Sequence, residues 1–100
     1  MTKDAIVLAT KLLKSDDDYL DIVIKLCRIG NKKYGQCWDT EFHVFGVISS
    51  DTDHLPLNHV RGKCSNEFLV KSDEELSEII ESYRADVVNA CTLIVSGKNV

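Results

Sequence analysis

One hundred residues with 44% hydrophobic and 28% charged side chains describe one ordinary globular domain that can bury a core without disulfide staples. The net charge of −4 and pI near 5.2 argue against general nucleic-acid or anionic-membrane binding, where a basic surface is expected. No apolar run approaches the roughly 18–20 residues that cross a bilayer.

The N-terminal run Met1-Thr2-Lys3-Asp4-Ala5-Ile6-Val7-Leu8-Ala9-Thr10-Lys11 has only four consecutive apolar residues before Thr10 and Lys11 interrupt it. A signal peptide needs about 7–15, so the segment reads as a helix of the mature protein. Thr2 caps it, and Ala5, Leu8, Ala9, Leu12 and Leu13 share one face. A second helix is predicted from Ser15, with Asp16, Asp17 and Asp18 in its first turn facing the positive end of the helix dipole. Leu20, Val23, Ile24 and Cys27 form its stripe, and Gly30 is its stop. Residues 31–37 read as a basic loop.

A strand is predicted at residues 40–49. Phe42, Val44 and Ile48 fall to one side, and Glu41, His43, Phe45, Val47 and Ser49 to the other. Gly46 in its middle signals a bulge or a close backbone approach. A polar turn at residues 49–53 leads to a shorter strand at 54–61, which Pro56 keeps at a sheet edge. A one-turn helix at 65–70 is capped by Ser65 and anchored by Phe68 and Leu69. A long C-terminal helix then begins at Ser72-Asp73-Glu74-Glu75, a capping box. Its buried stripe is Leu76, Ile79, Ile80, Tyr83, Val87, Cys91 and Ile94, and Gly97 ends it. The expected fold is α+β: one domain, residues 1–100, with two N-terminal helices and a long C-terminal helix around a small antiparallel β-sheet.

Cys27, Cys37, Cys64 and Cys91 form no C-x-x-C pair, and without a secretion signal they are expected to be reduced, which points to the cytoplasm. His54, His59 and Cys64, with Cys37 or His43 as a fourth ligand, have soft ligand atoms, but no two lie two to four residues apart as structural zinc sites usually have them. Cys64 with His54 or His59 would make a thiolate–imidazole pair, a combination too common in sequences to carry weight. Asp51 and Asp53 beside Glu41 resemble a carboxylate pair for a cation or for acid–base work, yet Asx-turn chemistry explains both aspartates more simply. Neither a metal nor a cofactor is expected, and no catalytic motif is present.

Charge segregation is the strongest functional signal. Residues 38–56 hold Asp39, Glu41, Asp51 and Asp53 with no Lys or Arg. Residues 72–86 hold six carboxylates against Arg84 alone. These blocks carry −4 and −5 in a chain of −4, so the remainder is net +5. Concentrated negative potential suits a basic partner, and Asp39, Glu41, Asp51, Asp53, His54, Glu78 and Glu81 are its candidate contacts. A solvated helix face explains Asp73, Glu74 and Glu75, but it explains the 38–56 block less well.

The run Phe42-His43-Val44-Phe45-Gly46-Val47-Ile48-Ser49-Ser50-Asp51-Thr52-Asp53-His54-Leu55-Pro56-Leu57, with Val60-Arg61, Asp73-Glu74-Glu75-Leu76 and Tyr83-Arg84-Ala85-Asp86-Val87-Val88-Asn89-Ala90-Cys91, resembles small bacterial proteins. Among these are the immunity proteins of contact-dependent growth inhibition systems. The resemblance spans roughly residues 38–95 and includes no diagnostic motif. It implies a cytoplasmic inhibitor that blocks a toxin's catalytic domain, commonly a nuclease, and neither acts as an enzyme nor binds nucleic acid itself. The rival expectations are a small regulatory or scaffold subunit that docks through its acidic helix, and an enzyme using Asp51, Asp53 and His54.

Overall fold

Five helices, joined by turns and short irregular segments, make up the described residues, 2–96, of the computed structural model. The helices are α1 (Thr2–Lys14), α2 (Tyr19–Tyr34), α3 (His43–Asp51), α4 (Asn58–Arg61) and α5 (Asn66–Ser96). α1 lies against α2 and α5, and α3 lies against α2 and α5, so the four longer helices close a ring. α5, with 31 residues rising about 1.5 Å each, runs the length of the 43 Å long axis.

The expected antiparallel sheet is absent among the described residues, and the α+β class is corrected to all-α. Residues 43–51, which overlap the strand predicted at 40–49 and run into the turn predicted at 49–53, are α3. Short apolar runs are ambiguous between strand and buried helix, and here Val44, Ile48 and Thr52 are buried at i, i+4 and i+8, with Phe45 beside them. Thr52 Oγ1 donates to the Ile48 carbonyl at 2.7 Å, which satisfies a hydroxyl that is only 1% exposed. The second predicted strand, 54–61, is a turn followed by α4.

Gly46 marks a close approach, as predicted, but on a helix. A Cβ there would stand 2.5 Å from Cys37 Sγ and 3.3 Å from the Trp38 ring. Gly30 likewise does not stop α2: its missing Cβ makes room for Phe42, whose Cβ would be 2.5 Å away. α2 continues through the predicted basic loop to Gly35, whose φ of +80° is the left-handed conformation of a C-terminal cap. Asp16, Asp17 and Asp18 lie in the turn before α2 rather than in its first turn, which holds Asp21. α5 begins at Asn66, not at Ser72. Ser65 Oγ accepts the Phe68 N–H at 3.1 Å, and Ser72 is buried in mid-helix. The stop assigned to Gly97 lies outside the described residues, and so does the capping side chain of Thr2.

The core stripes largely stand. Ala5, Ala9 and Leu12 of α1, Leu20, Val23 and Cys27 of α2, and Ile80, Val87, Cys91 and Ile94 of α5 are buried. Leu8, Leu76, Ile79 and Tyr83 are partly buried against them, and Leu13 is exposed. Phe45, Leu26, Ile48 and Val23 fill the α2–α3 contact with almost no exposure.

Two bidentate arginines lace the surface. Arg84 donates to both Asp16 oxygens at 3.2 and 3.0 Å and to Glu81 at 2.6 Å, tying the α1–α2 turn to α5. Arg61 donates to both Asp73 oxygens at 2.8 and 3.0 Å, holding α4 on α5. This bond keeps the Asp73 carboxyl below its ordinary range. No helix among the described residues is long and apolar enough to cross a membrane.

Candidate functional site: an acidic-rimmed groove between α3 and α5

α3 and α5 run antiparallel, because Asp51 at the end of α3 accepts a 2.7 Å hydrogen bond from the Tyr83 hydroxyl while Val44 and Leu93 line the other end of the same groove. The groove holds about 350 Å³ and is lined by Thr40, Glu41, His43, Val44, Val47, Tyr83, Asp86, Asn89, Ala90 and Leu93. Its floor is aliphatic. Its charged lining groups are the carboxylates of Glu41 and Asp86, and no Lys or Arg lines it.

The two ends differ. At one end the Asp51 hydrogen bond raises the pKa of Tyr83, with smaller contributions from partial burial and from Asp86. The carboxyl groups of Asp51 and Asp86 share that end with the Tyr83 hydroxyl. At the other end Glu41 is already compensated. Tyr34 donates to its two oxygens at 2.8 and 2.9 Å, and Lys33 Nζ lies 3.8 Å away. Beside it Trp38, 45% exposed, meets the His43 ring edge-on at 5.2 Å.

The candidate contacts therefore separate. Asp39 sits in an exposed left-handed turn (φ 61°) whose N–H donates to His43 Nδ1 at 3.0 Å, next to the groove. Glu41 lines the groove, and Asp51 closes its far end. Asp53 and His54 lie beyond Asp51. The His54 Nε2 meets Glu75, and its Nδ1 is 3.7 Å from Asp53. Glu78 is exposed on the outer face of α5, and Glu81 is held by Arg84. The 38–56 block and the α5 block thus meet at two places, Asp51 with Tyr83 and His54 with Glu75, and only the first adjoins the groove.

Sequence reasoning missed Asp86, Asn89 and Leu93 as groove residues. Their signal was present: Tyr83, Asp86, Ala90 and Leu93 recur at i, i+3, i+7 and i+10, one face of a helix. The assignment of residues 40–49 to a strand hid the partner face of Val44 and Val47.

The thiol and imidazole candidates disperse. Cys64 Sγ donates to the Val60 carbonyl at 3.5 Å, His59 is exposed, and all four cysteines are free thiols. Among the described residues no group of three or more His, Cys, Asp or Glu is placed to hold a metal ion. Two grooves along α1 and α2, of about 420 and 430 Å³, mix both signs of charge: Lys11, Lys14 and Lys25 with Asp17, Asp18 and Asp21 in one, Asp4 with Lys25 and Arg28 in the other. Only single-sign charge beside apolar surface sets a preference for partner charge, and the α3–α5 groove has it. Comparison with protein-family models, curated proteins and solved structures finds no match for this chain.

Proposed function

We propose that this chain is a partner-binding protein of the immunity or antitoxin type, working in the cytoplasm, that holds a basic toxin domain of the nuclease class. The observation that carries the reading is the groove between α3 and α5, where an aliphatic floor meets carboxylates with no Lys or Arg in the lining. Apolar surface supplies the attraction on burial, and charge of one sign supplies orientation and speed of encounter. Nuclease clefts must hold polyphosphate and are basic for that reason, so carboxylates at a groove mouth complement them. The rival reading, a regulatory subunit docking through α5, draws on the exposed outer carboxylates Glu67, Glu74 and Glu78.

Affinity capture from the native cell separates the readings, with wild type and an Asp51→Lys/Asp86→Lys variant as baits. The expected result is a basic protein retained by wild type and lost from the variant, whose nuclease activity falls when wild type is added. A partner held equally by both baits, or one without nuclease activity, contradicts the reading.

A further inference from the structure

We propose that the α3–α5 groove seats a two-turn amphipathic helix of the partner, its apolar side chains on Val44, Val47, Ala90 and Leu93 and its Lys or Arg end beside Asp51 and Asp86. This rests on the partner-binding reading above and narrows it to one groove and one kind of partner element.

Both walls present their residues at helical intervals: Val44, Val47 and Asp51 at i, i+3 and i+7, and Asp86, Ala90 and Leu93 at i, i+4 and i+7. Seven residues of rise make each wall about 10 Å long, the length of two helical turns. A helix laid between two antiparallel helices meets both walls along that length and reads them with its own i, i+3/i+4 anchors. Adding a strand instead needs an open sheet edge, and the described residues form no sheet. Leu93 is 46% exposed although it lines the groove, so apolar surface there remains open to a partner.

Charge sets the direction. Asp51 accepts the Tyr83 hydroxyl at 2.7 Å, and Asp86, one turn beyond Tyr83 on α5, lines the groove. At the opposite end Lys33 and Tyr34 answer Glu41, and Trp38 with His43 offers an aromatic edge. The partner's cations therefore belong at the Tyr83 end and an apolar or aromatic residue at the Trp38 end.

The test titrates the ¹⁵N-labelled full chain with a Leu/Lys peptide of about 14 residues, since shorter helices are marginal in water. Its lysines cluster at one end, and a Leu/Glu peptide of the same pattern is the control. The expected result is shifts at residues 44, 47, 90 and 93, with the Glu peptide at least about tenfold weaker. Leu93→Glu, at a half-exposed position, and Val47→Asp each weaken binding about tenfold, or roughly 1.4 kcal/mol. Glu74→Lys/Glu78→Lys stays within about twofold, well under that 1.4 kcal/mol step. If Glu74→Lys/Glu78→Lys abolishes binding while Leu93→Glu and Val47→Asp do not, the groove is overturned and the acidic-surface reading stands. If the Lys peptide shifts no amide, the helix-in-groove proposal is overturned, and the partner-binding reading is decided by the capture experiment alone.

Discussion

Gly46→Ala reports whether residues 43–51 pack as a helix against the 37–38 turn. Replacing glycine by alanine inside a helix ordinarily stabilises by about 0.5–1 kcal/mol, through backbone entropy. Here the new Cβ would lie 2.5 Å from Cys37 Sγ and 3.3 Å from the Trp38 ring. Cys37 is only 2% exposed, so its sulfur cannot swing into solvent. Overpacking of this kind costs about 1–3 kcal/mol, which exceeds the entropic gain and gives a net loss of roughly 0.5–2 kcal/mol. Gly62 is the control, since a Cβ there meets nothing within 4 Å and its φ of −63° suits alanine. Gly62→Ala should stabilise by about 0.4–1 kcal/mol. Urea unfolding at constant m reads both changes. Adding Cys37→Ala to Gly46→Ala should recover part of the loss, a coupling that a double-mutant cycle measures. If Gly46→Ala stabilises as much as Gly62→Ala, α3 does not sit on the 37–38 turn and the groove geometry falls with it.

Ile80→Ala should cost about 2–4 kcal/mol in urea unfolding through lost burial and a residual cavity, because Ile80 is buried on the core face of α5; a loss below about 1 kcal/mol would place that stripe in solvent. Burial raises Cys91 from 9.0 to about 12 and Tyr19 from 10.0 to about 12. The unfolded chain therefore releases both protons first, so their contribution is complete below about pH 9 and drains as pH rises toward 12. Each decade in that window costs about 1.4 kcal/mol per group. Cys91→Ala should flatten the alkaline fall in melting temperature, and an unchanged slope would contradict the buried neutral thiol. EDTA and mild reductant should leave the melting temperature unchanged, since the cysteines are free and the described residues gather no metal-binding cluster. A drop with EDTA would restore a zinc site at His54, His59 and Cys64.

The helical stripes were legible because α1, α2 and α5 each bury one face for several turns, long enough for the 3.6-residue period to show. α3 was not. Its nine residues carry Val44, Phe45, Val47 and Ile48, β-branched or aromatic types that favour strands, and both alternation and helical spacing fit so short a run. Burial of Phe45 next to Val44 decides it, since Val44, Ile48 and Thr52 alone fit either period, whereas Val44, Phe45 and Ile48 together make a helical face and break a strand's alternation. The start of α5 was hidden by Ser72-Asp73-Glu74-Glu75, which matches a capping box in sequence. No Gly or Pro separates Ser65 from Ser72, so the helix was free to begin at the earlier cap. The charge segregation was visible in the sequence, but its neutralisation was not. Arg84 reaches Asp16 across 68 residues, and Tyr34 with Lys33 answers Glu41. The surviving acidic centre therefore moved to Asp51 and Asp86.

The rate of association with the captured basic partner, followed by stopped flow at low and high salt, tests that centre most directly. Steering by exposed carboxylates is screened within about 8 Å at physiological ionic strength. The wild-type rate should fall about tenfold or more as salt rises, while Asp51→Lys/Asp86→Lys should associate slowly at low salt and respond little to salt. A wild-type rate that ignores salt, matched by the reversed variant, would show that the acidic groove does not meet the partner.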